Sequence, residues 1–319
     1  MTRSRGAGSD AAQHARAYGP SDVPDLLLPA EITRRLATAR FGRRLVALDE
    51  IDSTNLHAAT LARAGAPEGT LVVAERQTSG RGRLGRVWVS PARVNLYASF
   101  VLRPPLAPAE APRLPLAAAV AVARVLVPLA PGRVAIKWPN DCLLDGRKVA
   151  GILTEMDAER DRVQAIVLGI GVNLNAPAEA FPPELCATAT SVLIATGTRV
   201  DRVAFTAALC GEIEDVYDRV VREGFAALAS EWNGLSCLTG QRVTVDCAGR
   251  RSSGTVKGLD ECGRLVLDGP GGEQRIVAGD VTVVDGYAGL ATGSGAGLGA
   301  GPAAGLGAGP ATGPGDGGA

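Results

Sequence analysis

The chain has 319 residues, and its 33 basic side chains are balanced by 33 acidic ones, so its surface is not built for non-specific nucleic-acid binding. At roughly 150 residues per domain the length fits about two domains. No run approaches about 18 uncharged apolar residues and the N-terminus lacks the apolar core of a signal peptide, so neither a membrane span nor a secretory leader is expected and the cytoplasm is the expected location.

Residues 1–25 mix Gly, Ala, Ser, Arg and Pro without a period and are expected to be disordered. Ser53 and Thr54 then precede a short helical run that stops at Gly65, a hydroxyl N-cap and a glycine stop. Residues 71–74 and 95–102 read as strands, and 114–126, with Pro115 in its first turn, as an Ala-rich helix. Further strands are expected at 134–138 and 163–169. From Asp201, apolar Leu209, Ile213, Val216 and Val220 recur at helical steps. Strands and helices mixed in this way predict an α+β domain over residues 26–237. After Gly240, four short runs about ten residues apart, separated by Gly/Asp turns, predict a small β-barrel of SH3-like size over 238–286. The tail, 287–319, holds 13 of the 41 glycines and should be flexible. The six cysteines include no C-x-x-C pair and the chain has two histidines, so a zinc site of ordinary spacing is not expected and the thiols should be reduced.

The densest chemistry lies between Gln77 and Trp88. Gly80, Gly82 and Gly85 spell G-x-G-x-x-G, but a dinucleotide fold needs a helix directly behind them, and here a β-prone stretch ends in Pro91. With Val87 and the Val-Ala-Ile-Lys that ends at Lys137, the pattern also imitates a protein kinase. No His-Arg-Asp and no Asp-Phe-Gly occurs, so the base and the metal-binding carboxylate of phosphoryl transfer are missing. The loop can still cradle an anion: glycines let backbone amides approach it, and Arg81, Arg83 and Arg86 supply guanidiniums. A solvated basic turn or an RNA-binding Arg-Gly patch is the lesser alternative, since the loop is one short copy without flanking aromatic repeats.

Lysine is scarce. Only Lys137, Lys148 and Lys257 occur among 33 basic residues, and two of the three sit between residues 137 and 148. A lysine where arginine is the default suggests a compact point charge, although a hairpin with incidental lysines is the plainer account. The segment reads as strand, Asn-Asp turn, strand, Asp-Gly turn, strand. Residues 169–175 read as a strand ending in a glycine turn.

Together these segments resemble the biotin–protein ligase family. The likeness rests on Ser53-Thr54-Asn55, on Gln77 to Arg86, on Lys137 to Asp141, on Lys148 to Glu155 and on Gly169 to Asn173, in the family's order and ahead of an SH3-like module. It implies a mixed-sheet catalytic domain like that of class II aminoacyl-tRNA synthetases. It also implies a two-step reaction: biotin and ATP give biotinyl-5′-AMP and pyrophosphate, and a lysine of a biotin carboxyl carrier domain then takes the biotinyl group. Mg²⁺ would accompany ATP, with no tightly bound cofactor. By the same resemblance Ser53, Thr54, Asn55 and Gln77 contact biotin; Arg81, Gly82 and Arg83 wrap biotin and the adenylate; and Arg83 keeps the intermediate from escaping. Trp88 walls the adenylate pocket and Lys148 faces the biotin carboxylate and the α-phosphate as the main electrostatic catalyst. Arg86, Asn140, Asp141 and Asn173 fall on the nucleotide side, Asp141 being the one candidate metal ligand.

Three departures from the family pattern stand out. About 45 residues precede the catalytic core, fewer than a winged-helix reader needs, so a ligase that binds no DNA and no membrane is expected. Leu84 stands where many relatives carry arginine. Residues 280–285 lack the arginine often found there, which leaves a nucleotide contact from the C-terminal module open. The alternatives are a lipoate–protein ligase, whose substrate has no ureido ring to pair with the polar set, and a biotin-responsive regulator.

Overall fold

The structure is a computed structural model that describes residues 26–159, 162–247 and 249–284. The expected disordered N-terminal segment and flexible tail lie outside those residues. A seven-stranded sheet organises the larger part, in the order β1 (Leu45–Ile51), β2 (Leu71–Gln77), β3 (Leu96–Leu102), β7 (Arg162–Val172), β6 (Arg147–Glu159), β5 (Asp141–Leu144), β4 (Val134–Lys137). Only β1 and β2 run parallel; every other neighbouring pair is antiparallel. The expected Asn-Asp and Asp-Gly turns join β4 to β5 and β5 to β6, the second through Asp145 and Gly146 at positive φ.

Side-chain alternation along the strands divides the two faces. Ile166, Leu168 and Ile170 of β7 and Ala150 and Ile152 of β6 enter the main core. They pack there with α3 (Arg113–Leu126), α5 (Arg202–Glu223) and α6 (Ala226–Leu235). The opposite face carries Ala165 and Val167 under Ala58 and Ala62 of α2 (Thr54–Arg63), a separate small cluster with Val72 and Val101. Continuing at a period of two, Gly169 and Gly171 fall on this second face beyond the start of α2. The glycine turn expected there is therefore a correction: both glycines lie inside β7. They omit side chains because Asn55 and Trp88 occupy that space, a Cβ on Gly169 falling 2.0 Å from Asn55 Oδ1 and one on Gly171 falling 2.5 Å from Trp88 Cε2.

The helical run Pro108–Leu129, which contains α3, is long and apolar enough by length and composition to cross a membrane. Sequence inspection passed over it because Glu110, Arg113 and Arg124 interrupt it. Its apolar residues from Leu114 to Leu126 are buried against the sheet and α5, so its hydrophobic face is committed to the protein core.

Three helices were not expected from the sequence. The short α1 (Pro29–Arg35) starts at Leu28 without a capping side chain, α4 (Val192–Thr196) has five residues although Ser191 caps its start and Gly197 at φ 74° ends it, and α6 follows α5 after Gly224 at φ 77°. Strand β1 was also unmarked, its residues being half-buried at the sheet edge. The chain ahead of β1 is fixed by a buried ion pair: Arg202 donates to Glu75 Oε2 at 2.8 Å while Leu27 N donates to Glu75 Oε1 at 2.7 Å.

Beyond residue 240, β8 (Arg242–Cys247), β9 (Arg250–Leu259), β10 (Leu265–Gly269), β11 (Gly272–Ile276) and β12 (Asp280–Val283) form an antiparallel sheet in the order β11-β10-β9-β8-β12. This is consistent with an SH3-like module. The expected barrel closure is not present among the described residues, since β11 and β12 stand at opposite ends of the order. Asn233 of α6 holds the module to the larger part through a two-way bond: its amide donates to Leu259 O at 3.0 Å and accepts from Leu259 N at 2.7 Å.

Candidate active site

A cavity of about 570 Å³ opens on the second face of the large sheet, where α2 begins and the two glycines leave the strands bare. Every residue singled out from the sequence, Ser53, Thr54, Asn55, Gln77, Arg81, Gly82, Arg83, Arg86, Trp88, Asn140, Asp141, Lys148 and Asn173, lines it. The two ends of the cavity differ in chemistry.

At the end formed by the start of α2, the polar side chains are buried and interlocked. Gln77 Oε1 accepts from the backbone N of Thr54 at 2.9 Å and from its hydroxyl at 3.1 Å, while Gln77 Nε2 donates to Ser90 Oγ at 3.0 Å. Ser99 of β3 lies 2.8 Å from Thr54 Oγ1 and 2.7 Å from Asn55 Oδ1. Asn55 Nδ2 donates to Glu155 Oε2 at 2.9 Å. Ser53 stands at the N-cap position of α2, yet its side chain makes no capping bond, which corrects the capping account. Its hydroxyl lines the cavity instead.

The other end is cationic. The glycine-arginine loop between β2 and β3 crosses the mouth, with Leu84 at φ 56° and Gly85 at φ 74° making its tight turn. Gly82 sits where a Cβ would press on Arg86 O at 3.3 Å. Arg81 pairs with Glu155 Oε1 at 2.7 Å. Arg83 donates to Asn140 Oδ1 at 3.2 Å, and Arg86 donates to Asp280 Oδ2 at 2.5 Å, with Arg83 also 3.7 Å from that carboxylate. Thus the C-terminal module does reach the cavity, through Asp280, Val281 and Thr282 of β12 and not through an arginine. Lys148 Nζ lies 2.6 Å from Asp141 Oδ1 and 5.5 Å above the ring of Trp88. The indole rests flat on Gly151 and Gly171, where added Cβ atoms would meet it at 2.9 and 2.5 Å. Trp88 Nε1 is buried without a hydrogen-bond partner.

Asn173 is placed differently from the rest of the nucleotide-side set. Both ends of its amide serve the scaffold: Nδ2 donates to Thr190 O at 3.1 Å, and Oδ1 accepts from Asn95 at 3.3 Å. Sequence reasoning missed Glu155's bridging role, Ser99 and Asp280, and it singled out Lys137 without giving it a site role; all touch this site or its network. The scarcity of lysine was the available signal for Lys137; for Ser99 and Asp280 there was none. The thiols nearest the cavity are poor nucleophiles, since burial pushes Cys237 up to about 11 and Cys142 higher still. Among the described residues no group of three or more His, Cys, Asp or Glu side chains is placed to hold a metal.

Comparison with known proteins agrees with this geometry. Residues 48–173 match the model of the biotin/lipoate A/B protein ligase family, and residues 238–284 that of the biotin protein ligase C-terminal domain. The chain is 38% identical over 258 residues to the bifunctional ligase/repressor BirA of Bacillus spizizenii, covering 81% of this chain and 79% of that one. It is 40% identical over 238 residues to the biotin–[acetyl-CoA-carboxylase] ligase of Paracoccus denitrificans, covering 73% of this chain and 98% of the relative. Among solved structures, the biotin protein ligase of Aquifex aeolicus in complex with biotin and ATP matches with a TM-score of 0.65 and 29% identity, over 75% of this chain and 98% of that chain.

Proposed function

The chain belongs to the biotin protein ligase family, and from that premise we propose that it activates biotin with ATP and transfers it to a lysine of a biotin carboxyl carrier domain of a biotin-dependent carboxylase. The biotin carboxylate attacks the α-phosphorus of ATP, the bond to pyrophosphate breaks, and biotinyl-5′-AMP forms. The carrier amine then attacks the acyl carbon and AMP leaves.

One observation carries this reading: a single cavity joins a buried, neutral hydrogen-bonding end to a cationic end across a floor opened by Gly169 and Gly171. A ureido ring, with its paired N–H donors and carbonyl acceptor, suits the first end. The carboxylate and phosphates that must be brought together suit the second, where fixed cations offset the negative charge that builds up. Ser53, Thr54, Asn55 and Gln77 would take the ring. Lys148, a point charge at the middle of the cavity, would meet the carboxylate and α-phosphate, while Arg83 and Arg86 fold over the adenylate. Trp88 forms a flat apolar wall for it. Mg²⁺ would enter with ATP; phosphate oxygens and the one carboxylate of Asp141 are the hard oxygen donors it prefers. The use of ATP supports a cytoplasmic reaction.

A ligase that does not bind DNA fits the balanced charge. The test is ATP–pyrophosphate exchange with purified protein and Mg²⁺, comparing biotin with lipoate, followed by transfer to a carrier domain. Exchange with biotin and not lipoate is expected. Exchange with lipoate would keep the chemistry and overturn the substrate, and exchange with neither would overturn the activity.

A further inference from the structure

Glu155 belongs to neither end of the cavity and is bonded to both. Its Oε1 holds Arg81 at 2.7 Å, at the root of the glycine-arginine loop, and its Oε2 accepts from Asn55 Nδ2 at 2.9 Å. An ionised carboxylate only accepts hydrogen bonds, so it sets the orientation of the Asn55 amide, with nitrogen toward Glu155 and oxygen toward Ser99. Asn55 Oδ1 is then an acceptor 2.7 Å from Ser99 Oγ, and the Ser99 proton must point to it. With that proton committed, Ser99 meets Thr54, 2.8 Å away, with its lone pairs. The Thr54 hydroxyl must therefore send its proton back into the protein, to Ser99 with Gln77 at 3.1 Å as a second acceptor, and turn an oxygen lone pair toward the cavity. The network continues through Gln77 and Ser90, whose hydroxyl donates to Trp88 O at 3.1 Å. Both limbs of the loop, Arg81 on its way out and Trp88 on its way back, are thereby tied to one chain of hydrogen bonds.

We infer that Glu155 is a positioning residue that acts on both ends of the site: through Asn55 and Ser99 it makes Thr54 an acceptor for a ring N–H, and through Arg81 it moors the loop that covers the adenylate. The inference rests on the proposed function for the identity of the ligand. It concerns a residue that touches neither the ring nor the phosphates.

Glu155→Gln tests it, because the neutral amide fits the same space, lacks the charge for Arg81 and can present a donor to Asn55. The expected result in ATP–pyrophosphate exchange is a rise of about tenfold in the KM for biotin. The KM for ATP and kcat should stay within about threefold. The preference for biotin over lipoate should fall, and free biotinyl-AMP should rise in the absence of a carrier. Glu155→Asp, which keeps the charge, should recover part of the preference. Ser99→Ala, which breaks the chain midway without touching Arg81, should reproduce the change in biotin KM and leave adenylate retention unchanged, so the inference remains testable if Glu155→Gln does not fold. A biotin KM unchanged within twofold in both Glu155→Gln and Ser99→Ala overturns it, as does an equal loss with biotin and lipoate. If the wild-type chain shows no biotin-dependent exchange, the proposed function falls instead.

Discussion

The two ends of the cavity are built on opposite principles. At the ureido end Ser53, Thr54, Asn55 and Ser99 are each 4% exposed or less, and Thr54, Asn55 and Ser99 are joined to Gln77 and Glu155 by hydrogen bonds. At the phosphate end the Arg81, Arg83 and Arg86 side chains are 43, 26 and 69% exposed and rest on carboxylates or on Asn140. Buried neutral groups are costly to leave unpaired, so the first end is stiff and discriminates by what it cannot pair. Exposed ion pairs are each worth about 0–1 kcal/mol, so the second end can exchange a carboxylate for a phosphate at little cost. On the proposed function, recognition would therefore be preformed where the ligand is neutral and exchangeable where it is charged.

The comparison breaks most visibly at Lys148, a cation of the cavity lining that lies over Trp88 and is paired with Asp141. Lys148→Ala should lower adenylate formation by about 10²–10³-fold, the usual loss when a fixed group facing developing charge is removed. Lys148→Arg should recover little, since a planar fork cannot occupy the place of a compact ammonium. Exchange within tenfold of wild type would remove Lys148 from the chemistry.

On the stiff end the sharpest probe adds one carbon. A Cβ on Gly169 would stand 2.0 Å from Asn55 Oδ1, closer than any contact that side chains tolerate, so Gly169→Ala must displace Asn55. Overpacking of this kind costs about 1–3 kcal/mol, which corresponds to a rise of roughly five- to 150-fold in the KM for biotin, with the KM for ATP unchanged. Equal changes in both constants would show that the two ends are not independent. Arg83→Gly probes the other end: adenylate should still form, because Lys148 remains, but should escape. Free biotinyl-AMP measured without carrier is the readout, and no increase in it would mean that the loop does not retain the intermediate.

What could be read in the sequence divides along the same line. The glycine-arginine loop, Lys148 and the polar triplet at the start of α2 were legible because their chemistry dictates residue types over short spans. Glu155, Ser99 and Asp280 act through partners 74, 44 and 194 positions away, Arg81, Asn55 and Arg86 respectively, and no local pattern announces such pairs. Gly169 and Gly171 were misread as a turn because glycine punctuates strands more often than it opens them to another side chain. Strands β2, β3 and β4 and helices α3 and α5 carry clear apolar periods, whereas α1, α4 and α6 are short or uncapped and are held by tertiary packing. The register that puts Gly169 beside Asn55 is a property of the assembled sheet.

The smallest effect is expected where the two parts of the molecule meet. Asp280, 30% exposed, accepts from Arg86 at 2.5 Å and lies 3.7 Å from Arg83. On the proposed function it would compete with ATP phosphates for both guanidiniums, so its removal would free two cations and also loosen the loop. These consequences oppose each other. With an exposed pair worth about 0–1 kcal/mol, Asp280→Ala should change the KM for ATP by no more than about fivefold. It should steepen the fall of ATP affinity with added salt, because two more unpaired charges then meet the nucleotide. The KM for biotin should not move, since the hydrogen-bonded chain at that end runs through Thr54, Asn55, Gln77, Ser90, Ser99 and Glu155. A change in biotin affinity on removing a carboxylate of the C-terminal module would mean that the stiff end depends on the loop's charge state, and the division between preformed and exchangeable recognition would have to be given up.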